Sequence, residues 1–231
     1  MRSLKQIVRT RLLQLLHVNP TSIDDNVGSE LVGDMGHRQY VGGLWEVLGR
    51  LQFRFMIEQG LQPQHVFLDI ACGSLRGGVR FIPYLDRGNY LGLDIQQRLI
   101  DIGIRHELGP QLNEIKKPEF VVSDAFEFGR FSKQPDFALA QSLFTHLTEA
   151  DIALCLRNLR SKAKSKTKFY ATFFESEQPM KNPEHSHSHK NFFYTQKQMT
   201  QFGEASGWFT RYIGDWKHPR RQMMLEYSIK A

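Results

Sequence analysis

At 231 residues, with 41% hydrophobic, 12% aromatic and 23% charged side chains, the chain can bury a full core and is neither a disordered nor a fibrous sequence. Thirty Lys and Arg against 24 Asp and Glu give a net charge of +6, but four bases and no acids fall in residues 1–20 and twelve bases against six acids in 161–231. The near-neutral middle argues against a basic nucleic-acid face across the core, and the two cysteines, Cys72 and Cys155, lack the spacing of a zinc site or a disulfide framework.

Leu4, Ile7, Val8, Leu12, Leu15 and Leu16 recur at helical spacing with Arg2, Lys5, Arg9 and Arg11 between them, predicting a basic amphipathic helix over residues 3–17. Packing on the domain or at a homodimer contact is the ordinary use of such a stripe; a membrane surface and an organelle presequence are the alternatives. No apolar run approaches the ~20 residues of a membrane span, and a chain of two cysteines far apart in sequence fits a reducing compartment, so a cytoplasmic protein is expected. Leu44, Trp45, Leu48, Leu51, Phe55 and Met56 mark a second helix ending near Gly60, so residues 1–62 read as a helical cap and 63–231 as the core.

From Val66 onward the pattern changes to short apolar runs separated by turns and helical stretches, the rhythm of a parallel sheet with crossover helices. The predicted strands are 66–70, 90–93, 120–122, 137–140 and 169–173. Predicted helices occupy 95–108, 150–159 and 196–205, and a final hairpin pairs 209–214 with 223–229. The fold class expected is therefore α/β: a Rossmann-like, doubly wound, seven-stranded sheet, mostly parallel with an antiparallel last strand, preceded by the cap.

The first predicted strand ends Leu68-Asp69-Ile70 and enters Ala71-Cys72-Gly73-Ser74-Leu75-Arg76-Gly77-Gly78, a glycine-bearing turn that lets backbone amides approach a ligand. Asp69, Asp94 and Asp124 end the first three strands, and the ends of parallel strands gather along one edge. A carboxylate at Asp94 can accept from both ribose hydroxyls, and one at Asp124 from an exocyclic amine.

These stretches, LDIACGSLRGG, YLGLDI and VVSDAF, followed by PDFALAQSLFTHL, resemble the class I S-adenosylmethionine-dependent methyltransferases over about residues 40–231. Ala71 and Leu75 stand where that family often has glycine. The resemblance implies S-adenosyl-L-methionine as cofactor, with Asp69, Ala71, Gly73 and Ser74 at its methionine part and Arg76 available to its carboxylate. It also implies Asp94 and Ile95 at ribose and adenine, Asp124 and Ala125 at the adenine edge, and Gln141 facing the same cleft. A nicotinamide dehydrogenase shares the architecture, but its Gly-x-Gly-x-x-Gly fingerprint is missing here.

Three loops reach the same edge: 141–148, 175–191 and 215–222. They carry His146 and His218 as candidate catalytic bases, each with a loop-ordering role as the alternative, and Trp216, Lys217 and Arg220 as candidate contacts for an anionic small-molecule acceptor. His185, His187 and His189 alternate; a polar lid is expected there, with no metal, since three aligned imidazoles would require an extended strand. Gln141-Ser142-Leu143-Phe144 differs from the Asn/Asp-Pro-Pro-aromatic loop of base-amine methyltransferases, which favours a hydroxyl acceptor over nucleic acid. A cofactor-binding scaffold without turnover, or methylation of a nucleic-acid or protein substrate, is the alternative function.

Overall fold

The computed structural model describes residues 36–230. The predicted helix over 3–17, with its possible homodimer contact, lies outside them. Strands β1 (Phe67–Ile70), β2 (Tyr90–Asp94), β3 (Glu119–Val122), β4 (Phe137–Ala140), β5 (Lys168–Glu175), β7 (Phe209–Asp215) and β8 (Gln222–Ser228) form one sheet in the order β3-β2-β1-β4-β5-β8-β7. β8 alone runs antiparallel to its neighbours β5 and β7, and the others in this path are parallel. The expected doubly wound sheet with an antiparallel last strand is thus what these residues build.

β1, β2 and β4 are buried at every position, because helices cover both faces of the sheet. The period-two alternation sends Leu68, Ile70, Leu91, Leu93 and Ala138 toward Ile152, Cys155, Leu156 and Leu159 of helix α6 (Glu149–Lys162). It sends Phe67, Leu139, Tyr170 and Met224 the other way, against Leu48, Leu51, Phe55 and Met56 of α2 (Trp45–Glu58) and Phe81 and Ile82 of α3 (Gly78–Tyr84). Thr148 caps α6 by accepting from the Asp151 amide, and helix α7 (Gln196–Ala205) opens on a full capping box of Thr195 and Gln198.

Two departures from expectation have local causes. No strand is predicted between residues 173 and 209, yet Phe193–Tyr194 forms a short strand, β6, on Phe174 and Glu175. β4 stops opposite Ala171, so the end of β5 has a free side there, which β6 fills. The helix predicted over 95–108 starts later, as α4 (Gln97–Ile102), because Asp94 Oδ1 accepts the Gln96 amide and holds 95–96 in a turn. It then widens into a π-helix over Gly103–Leu108, followed by α5 (Pro110–Lys116).

The π-segment lies against the first glycine-bearing turn: a Cβ at Gly103 would fall 2.6 Å from the Ser74 carbonyl oxygen. Gly103→Ala is expected to push the turn aside, costing about 1–3 kcal/mol of stability. Thermal unfolding of the variant checks this.

Candidate active site

The carboxyl ends of β1 and β4 meet where the strand order reverses, the position at which open α/β sheets bind ligands. The β1 turn is shaped by three left-handed residues, Ala71 (φ 62°), Gly73 (φ 54°) and Leu75 (φ 68°). Only Gly73 takes this conformation freely; Ala71 and Leu75 each carry roughly 1–2 kcal/mol of strain. At Leu75 the strain is offset by complete burial of the side chain against the α2–α3 face.

Asp94 does more than its position at the end of β2 predicts. Its Oδ2 accepts the Gly73 amide at 2.7 Å and its Oδ1 the Gln96 amide at 3.0 Å, so one buried carboxylate ties the two turns together. Asp69 is buried and accepts from the Tyr90 hydroxyl at 2.8 Å. Burial raises its pKa to about 6, with the Tyr90 hydrogen bond and the Arg76 charge opposing the rise. Farther along the edge Asp124 and Ala125 are exposed, as is Ile95 at 43%, while Ser123 Oγ accepts from the Ala125 and Glu127 amides. This leaves an apolar face and a carboxylate open to solvent at the end of the crevice.

A cap closes over the β1 turn. Gly36 starts helix α1 (His37–Tyr40), and the turn Val41–Gly43 leads back to α2. His37 Nδ1 pairs with Ser74 Oγ at 3.1 Å, the Tyr40 hydroxyl accepts from Gln96 Nε2 at 2.9 Å, and a Cβ on Gly73 would meet Val41 Cγ1 at 3.1 Å. Glu107, on the π-helix, holds α1 through Arg38 at 2.6 Å and His37 at 3.2 Å. Arg76 lies beneath this cap and does not face solvent as a free helix-surface arginine: its Nη1 donates to the Val41 and Gly43 carbonyls and its Nη2 to Gln141 Oε1.

Gln141, at the end of β4, is the hub of a buried polar network. Its carbonyl also accepts from Gln52 Nε2 at 2.7 Å, and its amide nitrogen lies 2.6 Å from Ser142 Oγ and 3.1 Å from His218 Nε2. Gln222 and Thr172 extend the network, with Thr172 Oγ1 accepting the Ser142 amide and donating to Gln222 Oε1. Ser142 itself is left-handed, at φ 59°. Gln52, Ser142, Thr172 and Gln222 were not singled out from the sequence; two amides and two hydroxyls on separate elements leave no local pattern there.

The candidate histidines differ in which ring nitrogens are engaged. His218 is buried and stacked on Trp216, with Nε2 at Gln141 and Nδ1 facing the Arg220 amide at 3.2 Å. Burial and the charges of Arg76 and Arg220 push its pKa down to about 4. His146 donates Nδ1–H to the Lys190 carbonyl at 2.8 Å, which leaves Nε2 as the acceptor nitrogen. Burial lowers its pKa, as do the nearby charges of His189, His187 and Arg220, against the Lys190 hydrogen bond.

Arg220 joins this group, reaching the Gly42 carbonyl. Lys217 stands apart from it, and Trp216 borders it by stacking on His218. Trp216 is buried against Phe55 and donates to the Gln222 carbonyl, and Lys217 is paired with Asp215 at 3.0 Å. Both line a separate groove of about 240 Å³ beside Leu51, Arg54, Phe55 and Glu58. His187 and His189 pack edge to face in a non-extended loop, where the His189 amide donates to His187 Nδ1 and the His189 ring meets Tyr40. Among the described residues no group of three His, Cys, Asp or Glu side chains is placed to hold a metal ion, and no helix is long and apolar enough to cross a membrane.

The sequence matches no protein-family model. The fold matches many solved structures. Magnesium protoporphyrin IX methyltransferase from Synechocystis PCC 6803, with bound SAM, superposes with a TM-score of 0.59 at 13% identity, over 92% of this chain and 100% of that one. The glycopeptide N-methyltransferase MtfA, complexed with S-adenosyl-L-homocysteine, gives 0.61 at 13% identity over 79% and 90%. Human N-acetylserotonin methyltransferase, in complex with SAM, gives 0.61 at 10% identity over 84% and 56%. Strand order, the reversal between β1 and β4 and these superpositions agree that the chain has the fold of the class I S-adenosylmethionine-dependent methyltransferases.

Proposed function

We propose that this protein is a cytoplasmic S-adenosylmethionine-dependent methyltransferase that methylates a hydroxyl group on a small, anionic acceptor of sugar-like, lipid or secondary-metabolite type. The observation that carries the reading is a crevice whose residues match the parts of the cofactor in order. The β1 turn and Asp69 suit the amino-acid end, Asp94 keeps unused lone pairs for ribose hydroxyls, and exposed Ile95 and Asp124 suit an adenine face and its amine. Bound there, S-adenosylmethionine supplies an electrophilic methyl group.

The chain's own part is alignment, exclusion of water and proton removal. The cap from Gly36 to Gly43 shields the β1 turn, and the Gln141 network fixes the end of β4. His146 Nε2 takes the acceptor's hydroxyl proton, because Lys190 holds the ring with Nδ1 protonated. His218, with both ring nitrogens engaged and its pKa near 4, serves in this reading to orient Gln141.

Asp69 gives cofactor binding a pH dependence. Ionised Asp69 is the form that attracts a cationic ammonium group, and its pKa of about 6 means that binding must expel a proton at lower pH. Affinity is expected to fall by up to about tenfold for each pH unit below 6 and to level off above it. Titrations at several pH values check this, and Asp69→Asn should flatten the profile.

Turnover is tested by following S-adenosylhomocysteine release with paired acceptors that differ only in hydroxyl against amine. The reading expects release with the hydroxyl partner. Cofactor binding with no release on any acceptor would favour a scaffold, and preference for the amine would overturn O-methylation.

A further inference from the structure

The residues read as holding the methionine and ribose parts of the cofactor are shut away from water: Gly73 and Ser74 are buried, and Asp69 and Asp94 are each 6% exposed. A nucleoside reaches them only if something above them moves. The covering piece is residues 36–41, because His37 Nδ1 pairs with Ser74 Oγ, Val41 packs over Gly73, and the Tyr40 hydroxyl accepts from the Gln96 side chain. These contacts close the β1 and β2 turns together.

What holds this piece down comes from the π-helix. Arg38 donates from Nε and Nη2 to Glu107 Oε1 and Oε2 at 2.6 and 2.7 Å, a bidentate pair, and His37 Nε2 lies 3.2 Å from Oε1. Exposed ion pairs contribute little, but the Glu107 side chain is only 7% exposed and meets both arms of a planar fork. The same π-helix therefore braces the β1 turn twice, with Gly103 against the Ser74 carbonyl and Glu107 holding the helix that covers the Ser74 hydroxyl. On the body side, Trp45 receives Arg38 over its ring at 5.0 Å and the edge of His37.

Between α1 and α2 three consecutive residues are left-handed, Gly42 (φ 95°), Gly43 (φ 61°) and Leu44 (φ 48°). The two glycines change conformation at little cost, which suits a pivot. Leu44 is strained there and, unlike Leu75, is 43% exposed, so burial does not offset the strain and the closed contacts around it must hold it. Arg220 and Arg76 anchor the Gly42 and Gly43 carbonyls to the body, so the turn stays in place while the piece before it swings, and the Arg76 bond to the Val41 carbonyl breaks with the swing.

We propose that residues 36–41 form a gate over the crevice, pivoting on Gly42–Leu44, and that Glu107 is the positioning residue that latches it through Arg38 and His37. Resting on the methyltransferase reading, the gate sets how fast S-adenosylmethionine and its product exchange, and its closure keeps water out during transfer. Glu107 acts on the population of the closed form and not on the reacting atoms.

Glu107→Gln keeps the size of the side chain and drops its charge, and Arg38→Gln cuts the same pair from the cap, so a folding defect in one variant does not silence the test. Thermal unfolding verifies the fold of each. Hydrogen exchange of the full-length, ligand-free chain is expected to speed up by about 10- to 100-fold in peptides covering 36–44 and 71–76, with α6 unchanged. The double variant should be no faster than either single change, because both remove one interaction. In stopped-flow mixing, S-adenosylhomocysteine entry and release should both accelerate by a similar factor, so that affinity shifts less than either rate. A residue that merely stabilised the turn would weaken affinity without speeding entry.

Unchanged exchange in both single variants overturns the latch, and faster exchange with unchanged entry overturns the gate. A wild type that binds no S-adenosylhomocysteine overturns the methyltransferase reading instead; hydrogen exchange then decides the latch, which stands if both variants speed the two peptides and falls otherwise.

Discussion

Asp94→Ala is expected to weaken S-adenosylmethionine binding by about 100-fold or more, the loss of two hydrogen bonds to a charged acceptor at ~1.5 kcal/mol each. The same substitution should lower stability, because Asp94 accepts the Gly73 and Gln96 amides and both would lose their partner. A buried donor left unsatisfied costs roughly 1–3 kcal/mol. Asp94 thus differs from a residue that only touches ligand: its removal loosens the turn that shapes the crevice. Calorimetric titration together with thermal unfolding separates the two effects. A variant with lowered stability but unchanged affinity would remove Asp94 from the ribose position.

His146→Ala is expected to reduce kcat by about 10²- to 10⁴-fold, the usual contribution of a positioned general base. Its affinity for S-adenosylhomocysteine should stay near that of the wild type, since His146 sits in the loop after β4, across from the β1 and β2 turns that would hold the cofactor. His218→Ala should behave otherwise. That change removes a buried ring stacked on Trp216 and a partner of Gln141, so reduced stability is expected with it. Unchanged kcat in His146→Ala would show that the acceptor needs no base from this loop.

The sheet is legible in the sequence because strands buried on both faces are nearly all apolar, as in Phe67–Ile70 and Phe137–Ala140, and because each of the first three has an acid at or just past its carboxyl end. The turn chemistry of Thr148 and Thr195 fixes where α6 and α7 begin. What could not be read depends on contacts between distant elements. Gln52 and Gln141 are 89 positions apart and Ser142 and Gln222 are 80 apart, so only the crossover between β1 and β4 and the hairpin at the end bring them together.

The two histidines looked alike as sequence. Their difference lies in which nitrogen each neighbouring loop engages, and the Lys190 carbonyl that sets His146 belongs to a segment 44 residues away. Likewise Trp216, Lys217 and Arg220 read as one basic loop, yet left-handed backbone at Lys217 (φ 70°) turns the chain between Lys217 and Arg220. Lys217 turns to Asp215, and Arg220 turns to the cap.

Titration of S-adenosylmethionine into the folded wild-type chain, read by calorimetry and by the shift in thermal unfolding, addresses the crevice most directly. Saturable binding at one site per chain, with a rise in unfolding temperature that Asp94→Ala largely removes, is the expected result. No heat of binding and no thermal shift, from protein whose cooperative unfolding shows it to be folded, would contradict the assignment of this crevice to S-adenosylmethionine.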